Sequence, residues 1–267
     1  MKKLLALLLV LCMVFALAGC DSKDYKEATN AYISGDYKTA WQTFEMLGDY
    51  KDSADMVLLC KYAQAKEFAD SAEFDKAIAL YQELGSYKDS ADLISECKYA
   101  KAVKLLDAND YTAAAALFTE LGDYKDSADQ ATECNYRVAL DMMDQGLYSE
   151  AAEMFQAIAD YKNCAELAID CLSFQAESFL IGTWADVSFS SAGIVSYFTF
   201  EDGKVDAEMT LNGKHALSNN GTYRIDTDAG VVVVTYPTSD NPAKFAFEFI
   251  DGEFVLHGVN DPMEKQN

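Results

Sequence analysis

The stretch Leu47-Gly48-Asp49-Tyr50-Lys51-Asp52-Ser53-Ala54-Asp55 (LGDYKDSAD) decides the fold. It returns as LGSYKDSAD at Leu84–Asp92, as LGDYKDSAD at Leu121–Asp129, and as IADYKNCAE at Ile158–Glu166. Each start lies 37 residues after the last, with no insertion or deletion. A fixed period between about 20 and 50 residues marks an array of stacked units, none of which buries its apolar face alone. Within the nine residues, the glycine suits the left-handed position just past a helix end. Asp52, Asp89, Asp126 and Asn163 suit the N-cap of the next helix. Asp55, Asp92, Asp129 and Glu166 follow as first-turn acids facing the positive end of the helix dipole. The motif therefore predicts a stop, a turn and a start, with Tyr50 and its equivalents over the joint.

The intervals between motifs carry helical patterns. In the third unit a longer one runs from Ser90 to about Asp107 and a shorter one from Tyr111 to Leu121, across the turn Ala108-Asn109-Asp110. Alanine fills positions 28, 65, 102 and 139, then 40, 77, 114 and 151, then 54, 91, 128 and 165. Phe44, Tyr81, Phe118 and Phe155 form an aromatic column, and Tyr25, Tyr62, Tyr99 and Tyr136 another. Small residues let helices approach, and the large aromatics fill the space between units. About nine helices are expected: four pairs and a closing helix from Asn163 to about Phe179.

Near residue 180 the period changes from helical to two-residue alternation. Lys204–Leu211 alternates cleanly, and Lys244–Ile250 places Phe245, Phe247 and Phe249 on one face. Such runs are half-buried antiparallel strands. Turn pairs separate them: Asp202-Gly203, Asn212-Gly213, Asn220-Gly221, Ala229-Gly230 and Asp251-Gly252. The pattern predicts about eight short strands closing into a small barrel or sandwich with a filled interior. The expected fold class is multidomain α + β: an α-solenoid at 20–179 and an antiparallel β-domain at 180–267.

The N-terminus is a targeting segment. Met1-Lys2-Lys3 precedes an apolar run that is too short to span a bilayer. Leu17-Ala18-Gly19-Cys20 resembles the lipobox of bacterial lipoproteins. That resemblance implies a signal peptide at 1–19, lipidation (palmitate) of Cys20, and anchoring on the extracytoplasmic face of the cell membrane.

The helical unit resembles the tetratricopeptide repeat over about residues 22–179. Ala102, Asn109-Asp110-Tyr111, Ala114 and Phe118 match the family's small residue, inter-helix turn, signature alanine and second-helix aromatic. The units depart from the family's 34 residues by three, which fall in the inter-unit turn. Lys98 stands where a tryptophan is usual and Asp126 where a proline is usual, so a related helical-hairpin repeat stays open. The resemblance implies a peptide-binding groove lined by first helices. By position it carries Tyr25, Tyr62, Tyr99 and Tyr136, with Lys66, Val103 and Leu140 beside them. These tyrosines either offer their rings to a partner or pack inward and show only their hydroxyls. Gly182-Thr183-Trp184 resembles the lipocalin opening motif, which implies a lipocalin-like β-domain.

Charge narrows the partners. The chain carries 21 Lys and Arg against 44 Asp and Glu, a formal charge of −23. Residues 21–177 hold 14 bases and 31 acids, a charge of −17. Nucleic acid, which needs basic patches, is not expected. A basic protein or peptide is the natural partner, and the oligomeric state stays open. The alternative is small-ligand or glycan binding by the β-domain, with the helices as a stalk.

No constellation points to catalysis, a cofactor or a metal. His215 and His257 lack partners at ligand spacing. Asp226-Thr227-Asp228-Ala229-Gly230 lacks the acids of a calcium loop and suits a hairpin turn. Cys60, Cys97, Cys134 and Cys171 repeat at 37 residues and, with Cys164, are expected as small buried hydrophobes rather than disulfides or redox groups.

Overall fold

The computed structural model describes residues 21–239, 241–250 and 253–266. The targeting segment, Cys20 and the Asp251-Gly252 turn lie outside these residues. Among them, nine helices in tandem precede an eight-stranded antiparallel sheet. Residues 21–33 form α1. There follow α2 (Tyr37–Leu47), α3 (Ser53–Asp70), α4 (Phe74–Leu84), α5 (Ser90–Asp107) and α6 (Tyr111–Leu121). The last three are α7 (Ser127–Asp144), α8 (Tyr148–Ala157) and α9 (Cys164–Leu180). The chain divides into two compact units at Cys134/Asn135, within α7. The change from helix to strand comes later, between Leu180 and Gly182.

In the first unit the columns become layers of core. Ala28, Ala40, Phe44 and Cys60 bury together; then Ala65, Ala77, Tyr81, Leu84 and Cys97; then Ala102, Ala114, Phe118 and Cys134. The third alanine column is exposed, however: Ala54, Ala91 and Ala128 face outward, while Ser53, Ser90 and Ser127 just before them are fully buried. At two of the three places the serine hydroxyl turns back on the chain, while Ser127 Oγ has no partner among the described residues. Ser53 Oγ donates to Tyr50 O at 2.6 Å and Ser90 Oγ to Tyr87 O at 2.7 Å.

The joint itself differs from its expected form in two ways. Gly48 has φ 55 and ψ −119, and Tyr50 N–H donates to Leu47 O. This is a type II′ turn, not a left-handed helix cap. A second turn follows at once: Lys51 has φ 54, Asp52 has φ −103 and ψ 21, and Ser53 N–H donates to Tyr50 O. The same arrangement recurs at Gly85/Lys88 and Gly122/Lys125. Secondly, Asp52 and Asp89 do not cap with their side chains. They accept phenolic protons from the preceding unit instead. The capping acids are those of the short helices: Asp36 accepts from Thr39 N–H and Asp110 from Ala113 N–H.

In the second unit, Ala139, Ala151, Ala152, Phe155, Cys164 and Cys171 form the last helical layer. Asn163 likewise makes no side-chain cap. The strands are β1 (Gly182–Asp186), β2 (Ile194–Glu201), β3 (Lys204–Leu211), β4 (Lys214–Asp226), β5 (Val231–Thr235), β6 (Ala243–Ile250), β7 (Glu253–Leu256) and β8 (Glu264–Lys265). They form one curled half-barrel in the order β7-β6-β5-β4-β3-β2-β1-β8. A bridge between His257 and Pro262, with Met263 N–H donating to Leu256 O, links its two edge strands. Ala176 and Leu180 of α9 share the sheet's core with Trp184, Phe200, Val205, Val232, Val234 and Leu256. That shared core explains why the closing helices belong to the sheet's compact unit. Trp184 Nε1 donates to Leu180 O at 2.6 Å, and Lys265 Nζ sits 5.3 Å over the indole while donating to Phe179 O.

Asn220-Gly221 is not a turn. It lies inside β4, with Gly221 opposite Val205. A Cβ on Gly221 would meet Thr235 O at 2.5 Å, so glycine serves a close backbone approach there. Asp202-Gly203, Asn212-Gly213 and the Asp226–Gly230 loop do form turns, the last with Ala229 N–H donating to Asp226 Oδ1.

Candidate functional site

The tyrosine column is bound into the joints. Tyr62, on α3, packs edge-on against Tyr81 and Tyr87 with ring centroids 6.0 Å apart in each case. Its hydroxyl donates to Asp89 Oδ1 at 2.7 Å, just before α5. Lys88 Nζ lies 4.3 Å from its ring centroid. Tyr25 repeats this with Phe44, Tyr50, Asp52 and Lys51, and Tyr99 with Phe118, Tyr124, Asp126 and Lys125. In the second unit Tyr136 packs on Phe155 and Tyr161 beneath Lys162. All four tyrosines are half-buried. Hydrogen bonding to a carboxylate, followed by burial, raises the pKa of Tyr25, Tyr62 and Tyr99. Reciprocally, the Tyr99 and Gln130 hydrogen bonds hold Asp126 below the usual carboxylate value.

This cluster explains a residue that sequence reasoning passed over. Lysine at positive φ is strained. Each of Lys51, Lys88 and Lys125 sits in that conformation with its ammonium over two tyrosine rings, an attraction of about 0.5–1 kcal/mol at an exposed site. The tyrosine–lysine–aspartate set fixes corresponding helices of successive units against each other.

Between α3 and α5, which correspond in successive units, runs a cleft of about 410 Å³ floored by α4. Tyr62, Lys66, Ala69 and Asp70 of α3 line one wall; Leu93, Glu96 and Ala100 of α5 line the other. Phe74, Tyr81, Asp89 and Cys97 complete it. Tyr62 and Lys66 both line this cleft. Val103 and Leu140 pack against helical core layers instead.

The cleft has a sequence cause. At the position of Ala69 the other units carry Tyr32, Leu106 and Met143, each packed against its own layer. Alanine leaves room. Tyr81 stands where Phe44, Phe118 and Phe155 stand elsewhere. It is 1% exposed as a residue, and its hydroxyl, which stays accessible, has no hydrogen-bond partner among the described residues. Burial first, then the nearby Cys97, Tyr62, Asp89 and Asp70, push its pKa above the ordinary value. Tyr81 lines the cleft together with those four groups. The lining holds three carboxylates and one ammonium, and with Lys88 over the Tyr62 ring counted too the acids still outnumber the bases.

The half-barrel offers a second concavity. A cavity of about 470 Å³ opens among Ser196, Phe198, Ala207, Met209, Leu217, Asn219 and Tyr236. Small side chains at 196 and 207 leave this end open. His215 and His257 pair with Glu208 and Glu248 at 2.9 and 2.8 Å on the exposed surface. All five cysteines among the described residues are buried and unpaired, and burial raises their thiol pKa values. No group of three or more His, Cys, Asp or Glu among these residues is placed to hold a metal.

No model of a known protein family matches the chain, and no curated protein matches it.

Proposed function

We propose that the protein is a lipid-anchored, extracytoplasmic scaffold that binds a positively charged segment of a partner protein along its helical repeats. The observation carrying this reading is the cleft between α3 and α5. It lies between corresponding helices of successive tetratricopeptide-like units and is lined by Asp70, Asp89 and Glu96 against Lys66, with Lys88 over the Tyr62 ring. The negative charge of the helical region extends the attraction beyond the cleft and speeds encounter with a basic segment. Anchoring rests on the lipobox-like Leu17–Cys20, and labelling with an alkyne fatty acid tests it. Label should enter the chain and vanish in Cys20→Ser; equal labelling of both would refute the anchor.

Charge reversal tests the binding. Asp70→Lys with Glu96→Lys should abolish recovery of the partner from envelope extracts. The same net change at Glu45→Lys with Glu153→Lys, two exposed acids away from the cleft, should preserve it. Equal effects of the two pairs would refute the cleft.

A second reading rests on the open end of the half-barrel, whose Phe198, Met209, Leu217 and Tyr236 suit a small apolar ligand or the face of a sugar. Native mass spectrometry of the chain offered lipids and oligosaccharides tests it. Uptake lost in Leu217→Arg supports this reading, and an unliganded mass throughout refutes it.

A further inference from the structure

Resting on the scaffold reading, we infer that the cleft between α3 and α5 is an anchor pocket for one arginine side chain of the bound segment. Tyr81 supplies the central observation. Its side chain is 1% exposed and lines the cleft, and its hydroxyl has no protein partner among the described residues and meets only the open cleft, in a column where three other repeats do without it. A hydroxyl that has lost most of its water and found no protein partner gives the fold nothing that a phenylalanine would not. The hydroxyl fits a ligand that donates hydrogen bonds. Asp70 and Glu96 fit the same ligand: both are exposed, and neither has a hydrogen-bond or ion-pair partner among the described residues.

The walls narrow the ligand further. Phe74 offers aromatic surface, the Tyr62 ring being already covered by Lys88, and Ala69, Leu93 and Ala100 are small or apolar. A flat, weakly hydrated guanidinium stacks on such a ring while donating in several directions at once. Tyr81 Oη, Asp70 and Glu96 stand as acceptors for those donors. Lys66 in the lining and Lys88 over the Tyr62 ring are opposing charges beside it. The alkyl stem of the arginine would lie where Tyr32, Leu106 and Met143 fill the corresponding space in the other units. The pocket is therefore specific to the repeat formed by α3 and α4, and it fixes the register of the segment.

The array supplies its own test variants. Ala69→Leu copies the third unit and plugs the pocket; Tyr81→Phe copies the other three units and removes the hydroxyl. The probe is a short Gly/Ser peptide with one central arginine between flanking lysines, compared with its twin carrying citrulline in the arginine's place. Binding to the full chain is followed by fluorescence anisotropy at low salt. The unaltered chain should prefer the arginine peptide by about tenfold or more, as expected for charge-assisted hydrogen bonds. Both variants should lose most of that preference while binding the citrulline twin as before. A preference unchanged in the variants would overturn the anchor and leave the scaffold reading standing on the lysines. Equal binding of the twins would do the same. If neither peptide bound, both the anchor and the scaffold reading would fall.

Discussion

Replacing Tyr81 with phenylalanine should stabilise the free protein. The ring stays in its column, since Phe44, Phe118 and Phe155 already occupy equivalent sites with full burial. What goes is a hydroxyl that keeps only the narrow solvent contact of the cleft and gains no protein partner among the described residues. An unsatisfied buried polar group costs about 1–3 kcal/mol. Water in the open cleft recovers part of that, so a gain near the lower end, about 1 kcal/mol, is expected. With a urea dependence of about 1–3 kcal/mol per molar, the midpoint should rise by about 0.5 M. Far-UV circular dichroism during urea unfolding reads this directly from the helices. The reciprocal change provides a control. Phe118→Tyr places a hydroxyl where Leu106, not alanine, stands beside it, and should destabilise by about 1–3 kcal/mol. A lower midpoint for Tyr81→Phe would mean that the hydroxyl supports the fold. The inference drawn from its lack of a partner would then fail.

The strained lysines give an unusual ordering. At Lys88, φ 51, glycine should be more stable than alanine by about 1 kcal/mol, because alanine keeps the strain and loses the ammonium–ring contact. Thermal midpoints of the two variants check this, and the usual order would refute the strain argument. Gly258→Ala should cost about 1–3 kcal/mol, because its Cβ would stand 2.6 Å from the buried Asp186 carboxylate, which accepts from Ser188 and Val259 N–H. A loss confined to fluorescence from Trp184, with the helices unchanged, is the expected pattern; full stability would contradict the contact. Burial lifts the Cys60 thiol from its ordinary 9.0 to about 11. The folded state therefore holds this proton where the unfolded state releases it. The contribution is complete below pH 9 and is lost as pH rises toward 11. Cys60→Ala should show a shallower alkaline fall in stability than the unaltered chain under reducing conditions, and identical slopes would refute the assignment.

Periodicity made the array legible. Ser90–Asp107 and Tyr111–Leu121 are helices with the bounds their sequence suggested, and the strand at Lys204–Leu211 likewise. Chemistry that depends on a neighbour across the fold was not legible. Asp52 has every local feature of an N-cap, yet a tyrosine hydroxyl from the preceding unit takes its carboxylate. Lys51 gives no sign of positive φ, because the compensating rings come from Tyr25 and Tyr50, and Tyr25 is far from it in sequence. Asn220-Gly221 has turn chemistry but serves a close strand approach. The cleft was written in the sequence as two exceptions, Ala69 and Tyr81, and only packing shows that they fall on the same space.

The most direct measurement is site-specific photo-crosslinking in the cell envelope, with the reactive residue placed at Glu96 in the full chain. The account predicts one dominant adduct whose partner peptide, mapped by mass spectrometry, is rich in arginine and lysine, and which disappears in Ala69→Leu. An adduct on a neutral or acidic peptide, or one that persists when the cleft is plugged, would contradict it.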